Sequence, residues 1–389
     1  MLELLRIIAF VVGAAIVVRT LSSAIQTFVL PRSANDRITN IVFRATWSLF
    51  RLRMKHVTAY KDRDRIAALY APIGLLLLPA IWLTLVLVGY MLMFWAIGAR
   101  SWEEAFRESG SSLLTLGFSV VDGFPSTLLA FSEAAIGLVL IALLIAYLPT
   151  MYSAFSRREA AVNMLEVRAG SPPSALEMMQ RYHRIHGLNH LGDLWKAWEL
   201  WFVDVEESHT SLAPINFFRS PHSDHSWVTA AGAVLDGAAL SVSTLDIPHD
   251  AQADLCIRAG YLALRRIADF FRISYNAAPR PGDPISISKE EYMEVCAKLE
   301  SSGISLKPDR EQAWRDFQGW RVNYDTVLLA LCVLTMAPEA PWSADRAYRY
   351  ITLDRILHDD GRRPAPEPAP LSSLSPAPPA SPLTSNLDE

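Results

Sequence analysis

The candidate chemistry of this sequence lies in a short polar segment between two long apolar ones. Residues 111–119, Ser-Ser-Leu-Leu-Thr-Leu-Gly-Phe-Ser, follow an uncharged stretch from Ile66 to Gly98, and Glu133 is the only charged residue from Pro125 to Ser156. Each apolar stretch exceeds the roughly 20 helical residues that cross a hydrocarbon core. Polar, glycine-containing backbone at membrane depth is tolerated only where protein covers it or where it lines water. We therefore expect a loop that re-enters the membrane between the two apolar stretches.

This loop resembles the selectivity filter of the bacterial potassium channel family, in which two membrane helices flank a pore loop. The family pattern is Thr-Val-Gly-Tyr/Phe-Gly, and the residues that resemble it are Thr115, Leu116, Gly117, Phe118 and Ser119. Asp122 and Pro125 follow, as an Asp and a Pro do in that family. The resemblance covers roughly Ile66 to Glu159. It implies a homotetramer in which four loops direct rings of backbone carbonyls at permeant K⁺.

Two positions depart from the family pattern. Leu116 replaces the family's Val, and Ser119 replaces its second Gly. A glycine can turn its carbonyl inward without a steric penalty, whereas the Cβ of Ser119 resists the same backbone conformation. We therefore expect a channel that conducts K⁺ or selects weakly among monovalent cations. The alternative is a non-conducting, membrane-anchored signalling or scaffold protein whose pore loop is vestigial.

Four residues near the loop have expected supporting roles. Asp122 and Glu133 are predicted to support the pore mouth or the filter. Glu133 lies inside a membrane span, where an ionisable residue points to a function, but it is equally compatible with a side chain that simply reaches the interface. Gly137 is a candidate hinge of the inner helix, and Pro149 is a candidate bend at a gate. Pro149 is equally compatible with a simple end of the membrane segment.

Three predicted membrane helices and a basic connector must hold this loop. We expect an N-terminal membrane helix over 1–30, a basic amphipathic connector over 31–65, an outer helix over 66–98, the pore loop over 100–124 and an inner helix over 125–156. The N-terminal segment is also compatible with a helix that lies at the membrane interface. A basic connector marks the cytoplasmic side and favours contact with membrane lipids. This places the chain in the bacterial inner membrane with a cytoplasmic C-terminus.

Beyond the pore domain, 66–159, the sequence predicts a helical cytoplasmic domain over 160–360 and a disordered proline-rich tail over 361–389. Its three cysteines are far apart and in no metal spacing. The expected fold is an all-α membrane protein: a tetrameric cation-channel pore domain with an extra N-terminal membrane helix and a helical cytoplasmic domain. We expect no cofactor beyond the permeant cation, and no nucleic-acid partner.

A group of side chains in the cytoplasmic domain suggests a third hypothesis, an enzyme. The group comprises His183, His186, His190, His209, Asp193, Asp204, Glu206 and Glu207. A metal site requires such ligands to converge with defined geometry. His186 and His190 share a helical face only if Gly187 does not interrupt the helix. We therefore expect solvated polar faces and helix ends here, and no metal.

Overall fold

The computed structural model describes residues 2–28 and 36–350. Apart from one isolated antiparallel bridge between Leu245 and Leu306, the regular elements in those residues are helical. The α-helices are α1 (Leu2–Phe28), α2 (Arg37–Met54), α3 (Tyr60–Ala67), α4 (Tyr70–Ile97), α5 (Trp102–Leu113), α6 (Phe124–Ala169), α7 (Ala175–Arg184), α8 (Leu191–Ser211), α9 (Trp227–Ser243), α10 (Ala251–Phe270), α11 (Lys289–Ser301), α12 (Arg310–Arg321), α13 (Asp325–Thr335) and α14 (Ala344–Tyr350). Short 3₁₀ helices cover Leu188–His190 and Ala213–Phe217. The predicted tail, 361–389, lies outside the described residues.

Three stretches are long and apolar enough to cross a membrane. They are Leu2–Phe28, the combined Tyr60–Ile97 that holds α3 and α4, and Phe124–Ala169. The protein leaves many of their aliphatic side chains uncovered: Leu4 in α1 is 62% exposed, and Ile145 in α6 is 66% exposed. Helices that present apolar side chains outward suit a lipid environment. The chain is therefore an all-helical protein compatible with residence in a membrane.

Two glycines bring α1 and α4 together. A Cβ on Gly13 would lie 2.4 Å from the carbonyl oxygen of Gly89, and a Cβ on Gly89 would lie 2.9 Å from the carbonyl oxygen of Gly13. Residues without bulk at such a crossing let two backbones approach closely, which strengthens packing between membrane helices. Neither position has room for a larger side chain unless the helices separate.

A buried polar cluster joins α1, α2 and α4 where the connector begins. The Oδ2 atom of Asp36 accepts a hydrogen bond from the backbone N–H of Thr39, at 2.7 Å, and caps α2. The same oxygen accepts from the Ser23 hydroxyl of α1, at 2.5 Å. The Ser23 oxygen in turn accepts from the indole N–H of Trp82 in α4, at 3.0 Å. An N-cap satisfies backbone donors that the first helical turn leaves open, so this cluster fixes where α2 starts.

The helical domain formed by α7–α14 is built around a buried arginine. Arg321 of α12 is 0% exposed and forms ion pairs with Asp236 of α9 and Asp325 of α13, the latter at 2.9 Å. The phenol of Tyr324 also donates to Asp236, at 2.8 Å. A buried charge is tolerated when it is paired and hydrogen-bonded. This network therefore links three helices through the domain's apolar core.

Helix boundaries differ from the predicted ones in two places. The outer helix, predicted over 66–98, is α4 and begins at Tyr70, because α3 ends at Ala67 before it. The inner helix, predicted over 125–156, continues without a break to Ala169 in a single helix of 46 residues. The last turns of α6 pack into the core of the helical domain formed by α7–α14 through Val162 and Leu165. The two domains therefore share one helix.

The α1–α4 crossing is testable by adding a single methyl group. We expect Gly13→Ala to lower the free energy of unfolding in detergent by about 1–3 kcal/mol, the usual cost of overpacking. Val12→Leu enlarges the neighbouring residue, whose side chain is 45% exposed, and serves as the matched control. Thermal unfolding of both variants measures the difference. Equal stability of the two variants would contradict the close approach at Gly13.

Candidate functional site

The segment predicted as the pore loop, 100–124, begins with the short helix α5, which packs against the long apolar helices α4 and α6. Ser101 caps its first turn by accepting from the N–H of Glu104, at 3.1 Å. The ring of Trp102 stacks on that of Trp95 in α4, with centroids 4.9 Å apart. Ala105 and Leu113 are buried. Ala105 and Leu113 are eight residues apart and therefore lie on the same face of α5. This face packs inward, while the opposite face is exposed.

The first residue of the filter-like motif ends this helix. The N–H of Thr115 donates to the carbonyl of Ser112, at 3.0 Å, and the N–H of Leu116 donates to that of Ser111, at 2.8 Å. These are the two bonds of a Schellman helix end, with Thr115 at the left-handed position and a φ of 55°. A β-branched residue is rare in that conformation, and such strain concentrates at functional sites.

The rest of the motif forms an exposed loop. Gly117 has a φ of 70°, and a Cβ there would meet nothing within 4 Å. Ser119, expected to need a conformation that a Cβ resists, does not have a positive φ, and its N–H donates to the Ser111 hydroxyl at 3.1 Å. Leu116 and Phe118 are 59% and 56% exposed. An apolar loop this open in one chain needs a cover, either lipid or other protein.

Glu133 of α6 lies behind this loop and is 0% exposed. Its Oε1 atom lies 2.6 Å from the hydroxyl of Ser109 in α5, and that hydroxyl lies 3.0 Å from the carbonyl oxygen of Leu87 in α4. A serine has one hydrogen and cannot donate to both acceptors. A neutral carboxyl that donates to Ser109 leaves the serine hydrogen for Leu87, so the three helices are joined by two compatible bonds.

The second carboxyl oxygen supports the same conclusion. Glu133 Oε2 is buried and has no partner within the described residues. A charged carboxylate with an unpaired oxygen is much more costly in apolar surroundings than a neutral one. The geometry therefore favours the neutral acid. Ser109 was not singled out in the sequence, although its position midway between Ala105 and Leu113 places it on the buried face of α5.

The candidate hinge and gate residues have different environments. A Cβ on Gly137 would lie 2.3 Å from the carbonyl oxygen of Leu113, so Gly137 is where α6 touches the end of α5. This gives Gly137 a packing role, and its action as a hinge stays a prediction. Pro149 lies inside α6, which continues through it. Asp122, expected at the pore mouth, is exposed and near Glu108.

The His, Asp and Glu side chains grouped between residues 183 and 209 do not converge on one site. His209 of α8 is fully buried against Arg158 of α6, whose Nη1 lies 3.2 Å from His209 Nε2. Arg158 also pairs with Glu159, at 2.7 Å, and donates to the carbonyl of Ile215, at 2.8 Å. His190 is exposed near the start of α8, and Gly187 lies between α7 and the following 3₁₀ helix. Within residues 2–28 and 36–350, no group of three metal-binding side chains is close enough to hold an ion.

Comparisons of the chain with protein-family models, with curated proteins and with solved structures find no match.

The hydrogen bonding of Glu133 predicts how substitutions there behave. Glu133→Gln keeps a donor for Ser109 and should change the free energy of unfolding by less than about 1 kcal/mol, whereas Glu133→Ala should lower it by about 2–4 kcal/mol, because a bond is lost and a cavity opens. Glu103→Ala, which removes a carboxylate at an exposed position of α5, is the control. Thermal unfolding in detergent measures all three. Equal losses for Gln and Ala would contradict a neutral Glu133.

The environment of His209 predicts a stability that depends on pH. Burial and the neighbouring Arg158 guanidinium hold the pKa of His209 well below its usual 6.5. Unfolding then lets this histidine take up a proton, so stability is full above pH 6.5 and falls as the pH drops, by at most about 1.4 kcal/mol per pH unit. His209→Gln should flatten this fall between pH 7 and 5, while His190→Gln, at an exposed site, should not. Chemical unfolding at several pH values gives the comparison, and identical slopes for the two variants would refute it.

Proposed function

We propose that this chain is a subunit of a homotetrameric, potassium-channel-like cation channel of the bacterial inner membrane. The observation that carries the proposal is the arrangement of α4, α5 and α6. A short helix packs between two apolar helices, ends in a strained left-handed Thr115, and presents an open loop at Gly117. Four such loops around an axis would expose backbone carbonyls to a dehydrated cation. K⁺, or a weakly selected monovalent cation, is the proposed permeant ion.

The exposed face of α6 supports assembly. Phe131, Leu138, Ile145 and Tyr152 follow one another at seven-residue spacing and are 71%, 58%, 66% and 70% exposed. A seven-residue apolar repeat is typical of helices that pack together at a shallow, left-handed angle. In the proposed tetramer this face meets neighbouring subunits, while the opposite face holds Glu133 against α5.

The placement of the basic connector supports the proposed orientation. Asp64 of α3 forms a 2.5 Å ion pair with Arg219 of the cytoplasmic domain, and both side chains are 11% exposed. The start of α4 and the end of α6 therefore lie on one side, and α5 lies at the far ends of both helices. Connectors rich in arginine and lysine stay in the cytoplasm, so the α5 loop would face outward. Carboxylates around it, including Asp122, would concentrate cations at the entrance.

Ion flux tests the proposal. Full-length protein in liposomes loaded with KCl is expected to release K⁺, and its reversal potential in mixed K⁺ and Na⁺ gives the selectivity. Gly117→Ala should reduce flux about tenfold or more, because alanine in a left-handed conformation costs about 1–2 kcal/mol in each subunit. Gly110→Ala adds the same methyl group inside α5, where nothing lies within 4 Å of it, and should keep flux near that of the parent protein.

Two outcomes would count against the channel. A particle that is monomeric in native-like lipid would remove the shared axis on which the filter depends. A stable tetramer that carries no cation in the same liposomes would favour the alternative, a membrane-anchored signalling or scaffold protein with a vestigial loop. In both cases the stability predictions for Gly13, Glu133 and His209 would still stand, because they rest on packing and hydrogen bonding alone.

A further inference from the structure

A cavity of about 750 Å³ lies between the connector and the cytoplasmic domain. Its walls come from the end of α1, from α2, from the start of α4, from Tyr147 midway along α6, from the 3₁₀ helix Ala213–Phe217 and from the ends of α8, α10 and α13. This volume is within the range of about 300–1,000 Å³ that is typical of pockets for small molecules. We call it the connector cavity.

The polar lining of the connector cavity is cationic. Arg37 and Arg44 enter it from α2, and Arg272 enters from the opposite wall, directly after α10. Arg37 and Arg44 are seven residues apart and therefore share one face of α2. Among the described residues that line the cavity, Asp36 is the single acid, and its Oδ2 already accepts from Ser23 and from the N–H of Thr39. The cavity is thus lined by three guanidinium groups and by one carboxylate that already accepts hydrogen bonds, a balance that favours an anionic ligand. Guanidinium groups bind phosphate particularly well.

The remaining lining is aromatic. The ring of Tyr70 lies 6.0 Å from Phe43, 5.1 Å from Trp47 and 5.5 Å from Phe217, and all four side chains line the cavity. Tyr70 and Tyr147 are buried, so these rings form a fixed wall. An occupant that uses both walls carries a phosphate at one end and apolar groups at the other. Inorganic phosphate alone would leave the aromatic wall without a partner.

The position of α2 identifies the source of such an amphiphile. Its outer face exposes Ile41, Leu49 and Leu52, which are 66%, 67% and 64% exposed and lie along one side of the helix. An amphipathic helix with an uncovered apolar stripe and arginines beside it lies in the boundary between headgroups and acyl chains. The cavity lies behind this helix, between the start of α4 and the cytoplasmic domain. It is therefore at the depth where the headgroups of the inner leaflet are found.

We propose that the connector cavity binds the phosphate headgroup of an anionic phospholipid from the inner leaflet. Arg44 and Arg272 hold the phosphate from opposite walls, and the Tyr70 cluster contacts the apolar part of the lipid next to the headgroup. An occupied cavity touches α2, α6 through Tyr147, and the cytoplasmic domain together, so the lipid stabilises the arrangement in which these parts meet. The binding test below holds whether or not the protein conducts ions.

Lipid binding can be measured on the full-length protein in nanodiscs made of phosphatidylcholine. Titration with a fluorescent short-chain phosphatidylglycerol gives the affinity. Arg44→Gln should weaken binding about fivefold, the equivalent of about 1 kcal/mol for one arginine near anionic lipid. Arg272→Asn should weaken it to a similar extent. Asparagine tolerates the left-handed backbone at that position, where φ is 57°.

The matched control is Arg53→Gln, which removes one charge from an exposed site of the same helix that does not line the cavity. It should leave the affinity almost unchanged. An equal loss in the Arg53 and Arg44 variants, with none in the Arg272 variant, would overturn the proposal, because binding would then follow the general charge of α2. Size-exclusion profiles of the three variants check that each remains folded.

Two further titrations identify the ligand. Short-chain phosphatidylcholine, which is zwitterionic, should bind at least tenfold more weakly than phosphatidylglycerol; equal affinity would overturn the anionic site. Inorganic phosphate and glycerophosphate should fail to displace the lipid at equal concentrations. If either compound displaces the lipid effectively, the cavity binds phosphate, but its ligand is a soluble phosphate compound and not a membrane lipid. That result would overturn the lipid assignment.

Discussion

The helix α6 is the constraint on which the other parts of this structure depend. In a membrane, backbone groups must be satisfied within the protein, and α6 is one helix from Phe124 to Ala169 with Pro149 inside it. Near its start it holds Gly137 against Leu113 and Glu133 against Ser109. Towards its end it carries the buried Arg158 into the helical domain formed by α7–α14. The position of the loop after α5 and the position of that domain are therefore set by the same rigid element.

The two ends of α6 bury polar groups by opposite means. Arg158 is surrounded by hydrogen-bond acceptors, among them Glu159 and the carbonyls of Ile215 and Phe218. It therefore remains charged and connects α6 to the segment around Ile215 and Phe218. Glu133 has one side-chain partner within the described residues, and its geometry favours the neutral acid. Burial of a charge is tolerable only with partners. Arg158 therefore connects segments that are distant in the chain, whereas Glu133 connects only neighbouring helices.

Local patterns in the sequence predicted the parts of this fold that depend on local physics. The apolar spans and the basic amphipathic segment that holds α2 were expected from composition and periodicity, and they are present. The continuation of α6 beyond Ser156 to Ala169 was not expected, because its last turns are held by packing against helices that are distant in the chain. The pairing of Glu133 with Ser109 and the connector cavity join residues far apart in the chain. Contacts of this kind leave no periodic pattern in the sequence.

Rigid anchoring of α6 at both ends limits how the loop after α5 and the helical domain formed by α7–α14 can influence each other. A hinge at Gly137 would have to break its contact with Leu113, where there is no spare space. Tyr147, by contrast, lies between these anchors, packs 4.3 Å from the ring of Phe28 and lines the connector cavity. Packed interfaces rearrange by sliding or rotating as bodies more readily than by bending within a helix. Movement of α6 as a unit, with the cavity taking up the change in volume, is therefore the motion that this architecture favours.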